Sequence, residues 1–198
     1  MESLVIKNLN FRFKNAKVSL FSNWNLKLKH GHICAVVGPS GIGKTSLGLM
    51  IAGHIKPDSG EIIWNDKSVV RPSREIFLIH QEDDLFPWLT VLDQLKFVGG
   101  SSEQIENLLK QFKLTDFKNY YPYQLSGGMK KRLAIMRAEC AGASLLILDE
   151  TLSSLDKSLL KEILNEMVPH WKSLGKTVVL ITHQLDDVKE FVDTIVRI

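Results

Sequence analysis

The chain holds only two cysteines in 198 residues, Cys34 and Cys140, too few for a disulfide framework or a thiolate metal site. Cys34 lies in an apolar run and Cys140 in a helix-like stretch, so both read as small core residues. Long hydrophobic runs are missing too: uninterrupted apolar stretches reach five residues, as in Ile33 to Val37, against the roughly 20 that a membrane-spanning helix requires. The first residues, MESLVIKNLN, lack the charged-then-apolar order of a secretion signal, and the expectation is a chain that stays in the cytoplasm. No excess of one charge sign is present. The net charge is +3 and the basic residues are dispersed, apart from Lys130, Lys131 and Arg132, so nucleic acid is not an expected partner. Repeats and low-complexity segments are absent. What is left is a globular composition, 44% hydrophobic, with a length that favours one domain burying roughly 70% of its unfolded surface.

Glycine is where the chain becomes specific, because two short runs concentrate it: GPSGIGKT from Gly38 to Thr45 and LSGGM from Leu125 to Met129. The first follows ICAVV, a run suited to a buried strand, and precedes a helix-permissive stretch that starts near Thr45. Strand, glycine loop and helix in that order make a phosphate-binding loop. Gly38, Gly41 and Gly43 let amides point at phosphate oxygens, the helix start adds its positive end, and Lys44 reaches the β and γ phosphates. The Thr45 hydroxyl is the expected Mg²⁺ ligand, since Mg²⁺ takes few protein oxygens beside those of its substrate. In LSGGM, Ser126 suits an N-cap, and Gly127 and Gly128 leave amides uncovered at the start of MKKRLAIMRAECA, a helix whose positive end would face an anion. Lys130, Lys131 and Arg132 either add positive charge there or form a solvated helix face.

Further along, LLILDE from Leu145 to Glu150 is an apolar run closed by two carboxylates, the pattern of a buried parallel strand with acids at its carboxyl end. That end is where α/β sheets bind ligands. Asp149 is expected to hold Mg²⁺ and Glu150 to act as general base toward the attacking water.

With these motifs the chain resembles the ATP-binding subunit of an ATP-binding-cassette (ABC) transporter, from about Leu4 to the last residue. Six motifs match in order: the two glycine runs, LLILDE, Gln81 after FLIH as the Q-loop glutamine, SSLD from Ser153 to Asp156 as the D-loop, and His183 in VVLITH as the switch histidine. The resemblance implies an α/β fold with a phosphate-loop NTPase (RecA-like) core, an N-terminal antiparallel β subdomain and an inserted α-helical subdomain. All 198 residues then form a single domain, in which 1–81 and 145–198 make the core with its β subdomain and 82–144 the helical subdomain.

The same resemblance implies an ATPase. Two cassettes sandwich two ATP molecules head to tail, so Ser126, Gly127 and Gly128 of one subunit cover the γ-phosphate at Lys44 of the other. The loop residues Gly38, Pro39, Ser40, Gly41, Ile42, Gly43, Lys44, Thr45 and Ser46 surround the phosphates, and Phe13 stacks on adenine. Gln81 joins Lys44, Glu150 and His183 among the catalytic residues, and joins Thr45 and Asp149 as a metal ligand. Implied partners are a second cassette, integral-membrane permease subunits and an extracytoplasmic solute-binding protein, which places the cassette at the cytoplasmic face of the membrane. The run DLFPWLTVLDQL from Asp84 to Leu95 resembles importers of the nitrate, sulfonate, taurine and thiamine-precursor group. Leu85, Phe86, Trp88 and Leu89 in it are either core residues or the rim of a groove for the membrane subunit.

A DNA-repair or chromosome ATPase would need a long heptad insertion between the glycine runs, and the spacing from Thr45 to Leu125 leaves no room for one. A translation-factor relative would carry two cassettes. A regulatory cassette without turnover is opposed by the presence of Lys44, Asp149, Glu150 and His183 together. The sequence also departs from the family pattern. Thr151 stands where proline is usual after the glutamate, which predicts a less rigid loop, and His80 stands where an aromatic is common. Pro169 predicts a kink or break near Val168 in the amphipathic run from Asp156. Ser101 with Gln104 predicts a capping box before a helix that buries Ile105, Leu108, Leu109 and Phe112.

Overall fold

A computed structural model describes residues 2–14, 16–80, 85–152 and 155–198. Two sheets form from the apolar runs. The first is antiparallel: β1 (Glu2–Phe11) lies between β2 (Phe21–Lys29) and β4 (Ser59–Trp64), and β5 (Lys67–Ser68) closes the order β2-β1-β4-β5. The second is parallel. It is built from β3 (Ile33–Val37), β6 (Ile76–Ile79), β7 (Leu145–Asp149), β8 (Thr177–Thr182) and β9 (Thr194–Arg197) in the order β6-β7-β8-β3-β9.

Strands β3, β7 and β8 are buried at every position, which is why they read as continuous apolar runs without alternation. Their two faces still serve different layers, because successive side chains point to opposite sides. Cys34, Val36, Ile147, Val179 and Ile181 face the antiparallel sheet and the helix α1 (Lys44–Ile51), whose Leu47, Met50 and Ile51 complete that core. Ile33, Ala35, Val37, Leu146, Leu148, Val178 and Leu180 face the other way. There they meet α2 (Val91–Phe97), α3 (Ser102–Gln111), α4 (Gly127–Cys140) and α5 (Lys157–Ser173), so the helices inserted between β6 and β7 share a core with the sheet. A short α6 (Leu185–Val188) follows β8. Both cysteines are buried and free, and burial pushes the Cys34 thiol up to about 12. Among the described residues no helix is long and apolar enough to cross a membrane.

Two local expectations need correction. The capping box before α3 is half formed: Ser101 Oγ accepts from the Gln104 amide at 3.2 Å, but the Gln104 side chain donates to the Glu139 carbonyl 3.1 Å away instead of reaching back. The glutamine therefore fastens α3 to the end of α4. The second concerns Pro169, which does not break α5; the helix runs through it to Ser173. Leu160, Ile163, Leu164, Met167 and Trp171 are all buried along one face and hold both sides of the proline to the core, while Pro169 itself is exposed. The cost of the missing amide hydrogen bond is thus carried by packing. Pro169→Ala is expected to stabilise the fold by about 1–3 kcal/mol, because alanine restores a helical N–H at an exposed site. A urea unfolding midpoint that stays level or falls would show that the ring contributes more than it costs.

Candidate functional site

The parallel register decides which residues meet. Val37 pairs with Thr182, Asp149 with Ile181 and Ile79 with Leu148, so the residues that follow these strands, Gly38, Glu150, His183 and His80, leave the sheet along one edge. Between β3 and α1, Gly41 and Gly43 have φ of +81° and +108°, values that a side chain resists. Gly43 is also the N-cap of α1 and brings no side chain to its first amides, which keep their donors for an anion at the positive end of the helix. Pro39, Ser40, Gly41, Ile42 and Thr45 are exposed on this loop, and Lys44 and Ser46 are buried.

Lys44 Nζ donates to the carbonyls of Gly38 and Pro39, each at 2.9 Å, so the loop holds its own cation in place. The same Nζ stands 3.6 Å from Glu150 Oε1, and His183 Nδ1 stands 3.5 Å from that oxygen. Three residues from three separated motifs thus meet at one carboxylate. His183 is open to solvent and its Nε2 lies 3.3 Å from the Gln184 amide nitrogen. Gln81, Ser153 and Ser154 lie outside the described residues.

Glu150 has φ +46°, the left-handed region, which costs a residue with a side chain about 1–2 kcal/mol. Its amide donates to the Ile181 carbonyl at 2.9 Å. Thr151 follows, 1% exposed, with its Oγ1 donating to the Ile79 carbonyl at 2.9 Å and lying 3.4 Å from the carbonyls of His80 and Asp149. Where proline is usual, the hydroxyl anchors this turn to the end of β6, and Ser153 and Ser154 of the loop that follows lie outside the described residues. Nothing in a single sequence announces a bond between residues 72 apart.

Asp149 is 4% exposed, and its pKa is raised above the ordinary carboxylate value. Burial is the main cause and the Glu150 charge adds to it, while the Thr45 hydroxyl hydrogen bond, His80 and Lys44 act the other way. One carboxylate oxygen, Oδ1, is buried with no hydrogen-bond partner among the described residues. An orphaned anionic oxygen beside a hydroxyl suits a hard cation, and the residues present therefore fit Mg²⁺. No group of three or more metal-type side chains is found among the described residues.

Phe13 lies just beyond the end of β1, half exposed, with its ring edge-on to the buried Phe11 at 5.1 Å. One ring packs inward and the other offers a face. Ser126 caps α4 by accepting from the Met129 amide at 3.3 Å, as its position in LSGGM predicts. Two of the three basic residues that follow, Lys131 and Arg132, form neither a free anion site nor a solvated face, while Lys130 is half-buried. Arg132 is paired with Glu162 at 2.8 Å and lies 3.8 Å from Glu166, both on α5, and Lys131 is 4% exposed. In the run from Asp84, the side-chain amide of the fully buried Gln94 braces the backbone of Phe86 and Leu89. Phe86 packs against Trp88 at 5.5 Å and Phe97 at 5.0 Å, with the Arg137 guanidinium 4.9 Å over its ring. Trp88 and Phe97 are 69% and 67% exposed, an apolar rim rather than a core, whereas Leu85 packs onto the core.

The raised pKa of Asp149 has a consequence for stability. A carboxyl held above its unfolded value costs the folded state nothing below the ordinary aspartate range and its full penalty once pH exceeds the raised value. Asp149→Asn is expected to raise the thermal midpoint of the nucleotide-free protein at pH 7, and the gain should shrink as pH falls toward about 4. Equal midpoints at pH 7 would contradict a buried, costly charge.

The profile of the ABC transporter family matches residues 21–153. The taurine import ATP-binding protein of Ruegeria pomeroyi is 34% identical over 198 aligned residues, which cover 94% of this chain and 74% of that protein. An ABC transporter ATP-binding protein of Methanocaldococcus jannaschii is 34% identical, over 98% of this chain and 76% of that protein. Among solved structures, cbiO1 of Clostridium perfringens, part of the ABC transporter complex cbiONQ, superposes with a TM-score of 0.89 at 26% identity, over 100% of this chain and 85% of that one. A dimeric ATP-binding cassette in a post-hydrolysis state with ADP and Pi gives a TM-score of 0.85 at 28% identity, over 98% of this chain and 94% of that one. A likeness that runs through nearly the whole chain, in sequence and in fold alike, leaves one assignment: the chain belongs to the ABC transporter family, as its ATP-binding, ATP-hydrolysing subunit.

Proposed function

We propose that this cassette hydrolyses ATP with Glu150 as the group that orients and deprotonates the attacking water, and that it does so as a head-to-tail dimer driving import through separate membrane subunits. The observation that carries the reading is the meeting of Lys44, Glu150 and His183 at one carboxylate oxygen, within 3.6 Å. In the step itself the water oxygen bonds to the γ-phosphorus, the bond to the bridging oxygen breaks, and ADP and phosphate leave. Glu150 takes the water proton, Lys44 supplies positive charge to the γ-phosphate oxygens, and His183 contacts the same phosphate from the β8 side. Thr45, Asp149 and Gln81 are the residues that would hold Mg²⁺, which when bound neutralises charge on the phosphates. Phe13 offers its exposed face to adenine.

Gly127, unlike Gly128, supports action in trans. A Cβ at Gly128 would come 2.8 Å from Leu159 Cδ2, whereas at Gly127 it would meet nothing within 4 Å. Packing within the chain accounts for the first glycine and not the second, whose bare backbone suits a ligand brought by another molecule. The rim of Phe86, Trp88 and Phe97 suits an apolar segment of a permease, which would hold the cassette at the cytoplasmic membrane face. The taurine importers among its relatives make a small sulfonate the substrate class to test first.

Glu150→Gln is expected to lower kcat by about 10²- to 10⁴-fold while ATP still binds and accumulates a dimer, since shape is kept and proton acceptance is lost. Light scattering that shows only monomer with Mg-ATP would sink the dimer mechanism. The double variant Trp88→Ala, Phe97→Ala is expected to lose most of the polytopic membrane protein that copurifies with the tagged cassette from detergent extracts. Undiminished recovery would remove this rim from the docking surface.

A further inference from the structure

We propose that Thr151 is a positioning residue for hydrolysis: its hydroxyl, bonded to the end of β6, keeps the backbone of Glu150 in the left-handed conformation that aims the carboxylate. This rests on the role assigned to Glu150 above.

Glu150 sits in a conformation that the chain resists, and such a residue keeps it only when its neighbours are fixed on both sides. On one side the fixing bond is the Glu150 amide to the Ile181 carbonyl on β8, at 2.9 Å. On the other it is Thr151 Oγ1 to the Ile79 carbonyl on β6, at 2.9 Å. The two anchors come from the strands that flank β7, so the turn is stretched between its sheet neighbours. If the second anchor is cut, the turn loses its tie to β6, and a relaxation of φ there swings the carboxylate away from Lys44 and His183. Threonine is suited to the task because its β-branch restricts χ1 and because the site buries it almost completely, leaving the hydroxyl no water to turn to. The same hydroxyl also lies 3.4 Å from the His80 carbonyl, so it ties the turn to the carboxyl end of β6 at two residues.

Three variants test this: Thr151→Val, which keeps the branched shape and deletes the hydroxyl, Thr151→Ser, which keeps the hydroxyl, and Glu150→Gln. ATP turnover is measured with ATP affinity from a fluorescent analogue, alongside amide hydrogen exchange of residues 145–152 in the nucleotide-free protein and thermal unfolding. Thr151→Val should lower kcat about tenfold with KM and affinity within about twofold, a loss of transition-state stabilisation alone. Exchange at Glu150 and Thr151 should quicken in the same variant without nucleotide, and Thr151→Ser should restore at least half of the turnover. Parental turnover in a folded Thr151→Val would overturn the proposal, as would equal losses of kcat and affinity, or a serine variant no better than valine. If valine unfolds, serine decides alone: near-parental turnover with parental exchange supports the proposal, and a folded serine variant as slow as Glu150→Gln overturns it. Should Glu150→Gln be inactive while Thr151→Val behaves as the parent, this inference falls and the role of Glu150 stands. An active Glu150→Gln removes both.

Discussion

The site depends on the register of the parallel sheet. The glycine loop lies more than a hundred residues before the carboxylates and the histidine in sequence, and they meet because β3, β7 and β8 end level with one another. A slip of one residue between β7 and β8 would do more than move Glu150 along the edge. It would exchange the two faces of a strand, turning Leu146 and Leu148 toward the antiparallel sheet and Leu145 and Ile147 toward the helices. Because both faces are buried and differently lined, packing resists that slip, and the catalytic register is protected by side chains that never touch a nucleotide.

That protection is needed, because the site holds features that destabilise the chain carrying them. Asp149 is a buried acid with an unpartnered oxygen, Glu150 is a left-handed residue with a side chain, and Lys44 is a cation almost without solvent. Each is compensated locally, by the Thr45 hydroxyl, by the Thr151 and Ile181 anchors, and by the carbonyls of Gly38 and Pro39. All of these compensations lie at the carboxyl ends of the parallel strands or in the glycine loop and first helical residues that follow β3. The misfits sit where binding charged phosphates would relieve them: an anion would add a counter-charge for Lys44 beside Glu150, and a cation would take up the unpartnered Oδ1 of Asp149.

Much of this was legible in the sequence, for a physical reason. Strands β3, β7 and β8 read as short apolar runs because both their faces are buried, and the glycine loop and acid pair read as a site because they stand at the ends of such runs. The residues that sequence misjudged are those whose role is set by a distant partner. Thr151 gave no sign of its bond to Ile79, which spans 72 residues. Gln104 has the right spacing for a capping box, yet its amide found the Glu139 carbonyl across the helix pair. Pro169 carries a strong local signal for a break, and the buried side chains on the opposite face of α5 overrode it. Local chemistry predicted elements well and predicted tethers poorly, since a tether requires knowing which segments the fold brings together.

The start of α4 shows how far the two glycine runs differ in kind. At the first run a buried lysine supplies full positive charge. At the second, Arg132 is committed to Glu162 and Glu166 on α5, and Lys131 is buried and engaged within the chain. What Ser126, Gly127 and Gly128 offer an anion is therefore chiefly backbone N–H groups and the helix dipole, an attraction of about 0.3–1 kcal/mol per charge at an exposed terminus, growing as water is excluded. Such a site is weak alone and becomes effective only when another surface closes over it. On the function proposed above, a half with a buried cation and a weak half that needs enclosure would form a pair in which ATP binds one chain first and recruits the second afterwards. Pairing of the cassettes would then depend on the γ-phosphate, whose removal is the role proposed for Glu150.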